Sequence, residues 1–498
     1  MNIRSGLVSL PLVFLASSVL LEARASDEWP PLIRPADSTI PPQDPEDSSV
    51  LRQRAVVVDI RLARDPRTTR LRLPLFDNTA LKLKRKKRTT SLDDAVVWIG
   101  RVEGQEASAV ILAVGTDVLI GKVSTQGTIR QPADYYEIGY LGNGVHVLRQ
   151  YDPSTLPPDS NPIAPKYEQT KTDELRSADV PMIAATYWRP DDSDFPQGGH
   201  GDRESAPRAA AVASKAVYRR GPPPDDPTCT NDSRSTIDVL VVYTTATKDK
   251  AAAKDKTVGA QAIETAIESY IGEANDSYDR SGVGLQLQLV HTELVENYEE
   301  SGDPVTDLDN LSQPIVELKE VHDSRNTYGA DIVGLILEYN KKETDKKGCG
   351  QAHLMEDPSK DFERFAFAAI PRRCADRTMG LAHEFGHLMG ARHDWEVDRG
   401  EDNPEKPYSY SHGYVHVVQP PPPFRTIMSK NDRCNKHRCD LLPYWSNPDI
   451  HHPVSGWPMG CPASGVPTAC EDEKEPSNNA KTLDKTAPIV ANFRCSKN

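Results

Sequence analysis

Apolar residues along this chain follow two periods. Before residue 153 they fall in short β-branched runs, such as Ala55–Ile60 (AVVVDI) and Ala109–Val114 (AVILAV). The turn signals Gly115-Thr116-Asp117 and Gly142-Asn143-Gly144 separate the later runs. Short runs bounded in this way predict strands. From about Ser235 the pattern changes. Ile237–Tyr243 (IDVLVVY) and Ala330–Leu337 (ADIVGLIL) are almost continuously apolar, as strands buried on both faces are. Leu285–Val290 alternates like a strand, and Phe365–Ile370 predicts another. Thr257–Tyr278 carries Ala260, Ile263, Ala266, Ile267 and Ile271 near helical spacing and predicts a long helix. Further helices are expected near Thr378–Met389 and over about Asn478–Phe493. Strands alternating with helices predict an α/β (α+β) domain with a mixed twisted sheet. A smaller, mostly β domain precedes it.

Polar stretches mark the boundaries. Residues 27–50 and 153–228 are rich in Pro, Asp and Ser and lack periodicity, the first predicting disorder and the second a linker. The expected organisation is a signal peptide at 1–25, a β-rich domain at 26–152, a linker at 153–228 and an α/β domain at 229–498. Arg219-Arg220, before Gly221-Pro222-Pro223, marks a candidate processing site near 220. The signal-peptide reading rests on Arg4, the apolar stretch Leu7–Leu21 and the small-x-small triplet Ala23-Arg24-Ala25. No later segment has the ~18 apolar residues of a membrane span. The implied location is secreted or periplasmic.

The length of 498 residues fits two folded domains with tails. The net charge of −14 is uneven: residues 1–220 hold 29 Lys+Arg against 28 Asp+Glu, and residues 221–498 hold 30 against 45. An acidic C-terminal half argues against nucleic acid as a partner, because phosphate binding needs a basic surface. Within the otherwise neutral N-terminal half, Lys82-Leu83-Lys84-Arg85-Lys86-Lys87-Arg88 reads as a solvated hairpin or loop. Its alternative role is docking on the acidic C-terminal domain.

All eight cysteines follow residue 228: Cys229, Cys349, Cys374, Cys434, Cys439, Cys461, Cys470 and Cys495. An even number in an exported chain predicts disulfides. Proximity favours Cys349–Cys374, Cys434–Cys439 and Cys461–Cys470, leaving Cys229–Cys495. There is no CxxC knuckle for a structural zinc.

The chemistry is concentrated in residues 383–394, HEFGHLMGARHD. His383 and His387, four apart on a helix, share one face. Two imidazoles on a rigid helix suit zinc, which in catalytic sites takes three protein ligands and leaves one position open. Glu384 is placed to act as general base on the attacking water without ligating the metal. Gly390 supplies the positive φ that turns the chain off the helix. His393 then returns as the third ligand.

The run His383-Glu384-x-x-His387-x-x-Gly390-x-x-His393-Asp394 resembles the metzincin zinc peptidases, and the Asp after the third histidine resembles their reprolysin (adamalysin)-like branch. Thr426-Ile427-Met428-Ser429, 35 residues after His393, resembles the methionine turn that floors such a site. Cys349-Gly350-Gln351-Ala352, Ser411-His412-Gly413-Tyr414, Trp445-Ser446-Asn447-Pro448 and Ala491-Asn492-Phe493-Arg494 are similar to bacterial reprolysin-like peptidases, including the peptidyl-Asp endopeptidase group. The resemblance covers about 235–495.

It implies a metzincin-like catalytic domain and one catalytic Zn2+, and a zinc endopeptidase that is made as a zymogen and acts on protein or peptide substrates as a monomer. It also implies that the propeptide serves as intramolecular inhibitor. Residues 1–228 hold no cysteine to ligate the zinc, so that inhibition must work another way. After the methionine turn come Lys430, Arg433, Lys436 and Arg438. They read either as a basic pocket wall that prefers an acidic residue after the cleaved bond, or as a solvated loop. Calcium binding stays open, with no EF-hand present. The alternatives are an inactive metzincin-fold binding module, disfavoured by the intact Glu384 and histidines, and another class of zinc hydrolase, disfavoured by Gly390, His393 and Met428.

Overall fold

The computed structural model describes residues 29–38, 49–128, 131–156, 160–165, 235–252, 256–339, 347–418, 422–434, 439–462 and 475–497. The signal peptide, the Arg219-Arg220 pair, Lys436, Arg438, Cys229 and Cys470 lie outside them.

The N-terminal half is a nine-stranded antiparallel sheet. Its strands are β1 (Ile33–Pro35), β2 (Val50–Val58), β3 (Arg70–Pro74), β4 (Ala80–Thr90), β5 (Val96–Val102), β6 (Gln105–Val114), β7 (Leu119–Ser124), β8 (Tyr135–Gly142) and β9 (Val145–Tyr151). The order is β1-β2-β9-β8-β7-β6-β5-β4-β3. The two ends then meet: Leu32 N–H donates to Arg72 O and Arg72 N–H to Pro30 O, both at 2.8 Å. Closure removes the open edges that a sheet of this size would otherwise present. The turns obey their sequence signals, with Gly142, Asn143 and Gly144 all at positive φ.

The structure changes one expectation here and decides another. Ile60 ends no strand; it opens the short helix α1 (Ile60–Arg64), capped by the Asp59 carboxylate on Leu62 N–H. The basic run 82–88, read as a hairpin or loop, is a hairpin strand that pairs antiparallel with β3. It lies within β4, where Lys82 pairs with Glu103, Lys86 with Glu106, and Lys87 reaches across to Asp279 at 3.0 Å. Alternating lysines and arginines flank inward-facing, fully buried Leu83, so the composition hid a period-2 strand.

The second half is a five-stranded sheet of β10 (Thr236–Thr244), β11 (Gln286–Val295), β12 (Ile332–Leu337), β13 (Gln351–Ala352) and β14 (Phe367–Pro371). Its order is β11-β10-β12-β14-β13, parallel except for the edge strand β13. The helices are α2 (Thr245–Ala251), α3 (Gly259–Ser281), α4 (Pro304–Ser312), α5 (Lys319–Tyr328), α6 (Arg372–Arg377), α7 (Gly380–Leu388), α8 (Trp395–Asp398) and α9 (Asn479–Val490). Both faces of the sheet are covered, which explains the continuous apolar runs. Ile237, Val239, Val241 and Tyr243 face a core shared with α3, α7 and α9, while Leu240 and Val242 face a second core under α4 and α5. The long helix α3 buries Ile263, Ile267, Tyr270, Ala274 and Tyr278 at 3.6-residue spacing. It stops at Gly282, whose φ of 68° supplies the left-handed cap.

The halves are joined by buried charge pairs against α3 and α6. Lys122 donates to Glu273 at 2.7 Å and to Ala375 O at 2.6 Å; Arg101 pairs with Asp276. Glu137 is gripped by Arg149 and Arg377. Part of the expected linker is also ordered: residues 160–165 lie alongside β13, with Ile163 bridged to His353.

Candidate active site

The site is built on α7, every residue of which is buried. His383 and His387 occupy one face, as their spacing requires. The helix ends in a Schellman turn: Gly390 N–H donates to His387 O and Ala391 N–H to Gly386 O. Gly390 has φ 85°, and a Cβ there would stand 2.8 Å from Pro407 Cγ and 3.1 Å from Met355 O. Glycine is therefore required both by conformation and by space. The chain doubles back, fixed by Arg392 N–H on Ser411 O, and presents His393.

Three imidazoles converge. His393 Nε2 lies 3.1 Å from His383 Nε2 and 3.2 Å from His387 Nε2. His383 Nδ1–H donates to Ile427 O at 3.0 Å and His387 Nδ1–H to Ala391 O at 2.8 Å. Carbonyl acceptors place the proton on Nδ1, so these Nε2 lone pairs point to the common centre. Burial, reinforced by neighbouring cations, holds His387 and His393 well below the usual histidine range and hence neutral. Tetrahedral nitrogen ligands at the Zn–N distance of ~2.0–2.1 Å stand about 3.3 Å apart. The donor set and its spacing fit zinc.

Glu384 lies beside Gly350: a Cβ on Gly350 would come within 2.4 Å of Glu384 Oε1. The missing side chain thus makes room for the carboxylate. Cys349, next to Gly350, is bonded to Cys374 in α6, which fastens the sheet edge to the segment leading into α7. Met428 is fully buried under the helix, where a Cβ on Gly386 would stand 2.9 Å from its Sδ. The second expected short bridge, Cys434–Cys439, is present. Cys461 and Cys495 are also disulfide-bonded.

Residues beyond the three ligands and Glu384 hold this arrangement. Asp394 caps α8 through Glu396 N–H and accepts from Lys430 N–H at 2.9 Å; burial pushes its carboxyl up to about 6. His412 Nδ1–H donates to His393 O at 2.9 Å, and its ring stacks on Trp395. Asp398 accepts from Arg392 Nε at 2.9 Å and faces His412 Nδ1 at 3.4 Å and His393 Nδ1 at 3.9 Å. No spacing rule links Asp398 or His412 to zinc; only the fold brings them there.

The proposed pocket residues separate. Lys430 is buried beside the imidazoles, and its Nζ donates to Asn161 Oδ1 at 2.7 Å. Arg433 lines a cleft with Trp395, Glu396, Tyr414 and Glu475 instead. Tyr414 O–H accepts from Trp457 Nε1. His416 and His452 sit in an aromatic cluster around Phe424.

A sheet with an antiparallel edge strand, a helix bearing two of three convergent histidines, and a buried methionine beneath them define a zinc metallopeptidase. The family model described as metallo-peptidase family M12 matches residues 233–446. Two proteins of Stenotrophomonas maltophilia named peptidyl-Asp metalloendopeptidase are similar. One is 34% identical over 261 residues, covering 52% of this chain and 53% of its own length. The other is 30% identical over 371 residues, covering 74% and 68%. A protein of the same name from Xanthomonas campestris pv. campestris is 27% identical over 408 residues, covering 80% and 76%. The aligned part of the chain thus spans about half the length of the first of these relatives. The longer alignments exceed residues 235–498 and so reach into the β-sheet half. The chain belongs to the M12 metallopeptidase family.

Proposed function

We propose that the protein is an exported zymogen whose C-terminal half, residues 229–498, is a zinc endopeptidase and whose closed β-sheet at 26–152 is its propeptide. The observation that carries this reading is the convergence of His383, His387 and His393 Nε2 with Glu384 alongside. These three imidazoles hold the zinc, which supplies a Lewis acid for a peptide carbonyl and for water. Glu384 takes the proton of the attacking water and returns it to the leaving amine. Met428 and Gly390 shape the site without touching substrate. Lys430, close to the imidazoles, is the residue to read an acidic side chain after the cleaved bond, since pairing of opposite charges strengthens in a partly desolvated pocket. Aspartate is the residue in the relatives' name, peptidyl-Asp metalloendopeptidase. Arg433, set in a separate cleft, has a weaker claim. The disulfides suit an oxidising compartment, secreted or periplasmic, and no described helix is long and apolar enough to cross a membrane.

Glu384→Ala tests the reading. Hydrolysis of casein and of Asp-containing peptides should fall by at least ~10²-fold, with zinc content and melting temperature retained. A processed wild-type protein that binds zinc and cuts no peptide would overturn it.

A further inference from the structure

We propose that residues 160–165 are an autoinhibitory strand, in which Asn161 fills, as an uncharged amide, the place on Lys430 that a substrate carboxylate takes in the processed enzyme. This rests on the endopeptidase reading above and gives it a mode of latency that needs no cysteine.

The segment adds a strand to the sheet edge nearest the site. Ile163 N–H donates to Ala352 O at 3.0 Å, and Leu354 N–H donates to Ile163 O at 2.8 Å. Addition to an exposed edge is a common way for extended peptides to bind. Gly350, the residue that makes room for Glu384, directly precedes β13, so a segment paired along this edge lies next to the general base.

Asn161 is held at three points. Its carbonyl accepts from Gln351 Nε2 at 2.8 Å, its Oδ1 from Lys430 Nζ at 2.7 Å, and its Nδ2 donates to Glu401 Oε1 at 2.6 Å. An ammonium on one side and a carboxylate on the other fix the amide orientation. The Lys430 backbone is itself tied to Asp394, the neighbour of His393. The strand therefore holds Lys430, a buried cation beside the imidazoles.

An amide has the shape of an aspartate carboxylate but accepts a weaker bond from an ammonium. A tethered segment compensates through an effective concentration in the millimolar range. Cutting the chain between the halves and then shedding the N-terminal half removes that advantage, and a substrate aspartate wins Lys430. The sequence also protects the strand. Asn161 is followed by Pro162, whose nitrogen has no hydrogen and whose position faces away from β13. Pro165 stops the pairing after Ile163, because its own missing N–H falls on the β13 side.

The test compares unprocessed and processed full-length protein on a fluorogenic peptide containing aspartate. Asn161→Ala and Ile163→Pro should each raise the activity of the unprocessed chain about tenfold, the effect of losing a hydrogen bond that involves a charged group, while the processed form is unchanged. A synthetic peptide of residues 160–165 should inhibit the processed enzyme competitively, and Lys430→Met should weaken that inhibition. If both variants stay as latent as wild type while processed wild type is active, the strand is not the inhibitor. If processed wild type is inactive, the endopeptidase reading falls first and the strand with it.

Discussion

Gly386 lies directly over Met428 and Trp445: a methyl group on Gly386 would stand 2.9 Å from the Met428 sulfur and 2.7 Å from the Trp445 ring. The middle of the zinc-binding helix therefore has no spare volume on its core side. Gly386→Ala gains ~0.5–1 kcal/mol of helix propensity. It loses about 1–3 kcal/mol to overpacking, because the Trp445 ring is clamped by stacking on Tyr278 and by Ser277 Oγ. The expected net is a lower melting temperature and weaker zinc retention. Gly400→Ala, where nothing lies within 4 Å, should change neither. Equal melting temperatures for Gly386→Ala and wild type would show that the floor yields.

Asp398 orders the third ligand from behind. Its carboxylate holds Arg392 and faces both His412 and His393 within 4 Å. Asp398→Asn keeps the shape and removes the charge. Outer-shell changes of this kind cost about 10–100-fold in metal affinity. Competition with a chromophoric chelator measures it. Unchanged zinc affinity would assign Asp398 to Arg392 alone.

The sites of strongest physical constraint were the legible ones. Ile237–Tyr243 had to be a strand because both of its faces are apolar, and α3 had to be a helix because its apolar positions repeat every 3.6 residues. The histidine motif specified its own geometry through Gly390. The basic run 82–88 read only as a hairpin or loop, because charge dominated its composition and masked the alternation around Leu83. The helices α4 and α5 went unread, since each buries only a few apolar residues and α5 is otherwise polar. Asn161 and Asp398 carry no local signal, and His412 stands out only within the Ser411–Tyr414 resemblance; the turn after α7 sets Asp398 against Arg392 and His393, and long-range folding sets the partners of the other two. Residues 160–165 read as linker because two prolines in six residues look like a break, whereas here they delimit a strand.

Lys122 tests how firmly the halves hold together. Its ammonium is buried between Glu273 and Ala375 O, and burial raises the Glu273 carboxyl, with Lys122 opposing that rise. Lys122→Met leaves Glu273 buried without its partner, which costs about 3–5 kcal/mol. After cleavage between the halves, the variant β-sheet should leave the catalytic half on size-exclusion chromatography while the wild type elutes as one complex. Coelution of both would place the binding energy in the other contacts between the halves, Arg101–Asp276, Arg377–Glu137 and the packing of Val97 on Gly272.

His146 gives a pH dependence with a defined sign. Its Nε2 accepts from Leu119 N–H at 3.2 Å, so the native ring is neutral, and burial lowers its pKa to about 4. In the unfolded chain the value is about 6.5. Between those values the unfolded state binds a proton that the native state refuses. The contribution is complete above pH 6.5 and is lost as pH falls toward 4, at about 1.4 kcal/mol per unit. Buried carboxyls raised by desolvation, such as Asp331 and Glu273, act with the opposite sign, so the whole stability curve does not isolate the effect. The difference between wild type and His146→Gln does, because glutamine keeps an acceptor for Leu119 and cannot titrate. Urea midpoints at pH 7.5, 6 and 5 should converge for the two proteins as the pH drops, with wild type the more stable at pH 7.5. Parallel curves would mean that His146 is protonated, or solvated, in the native sheet.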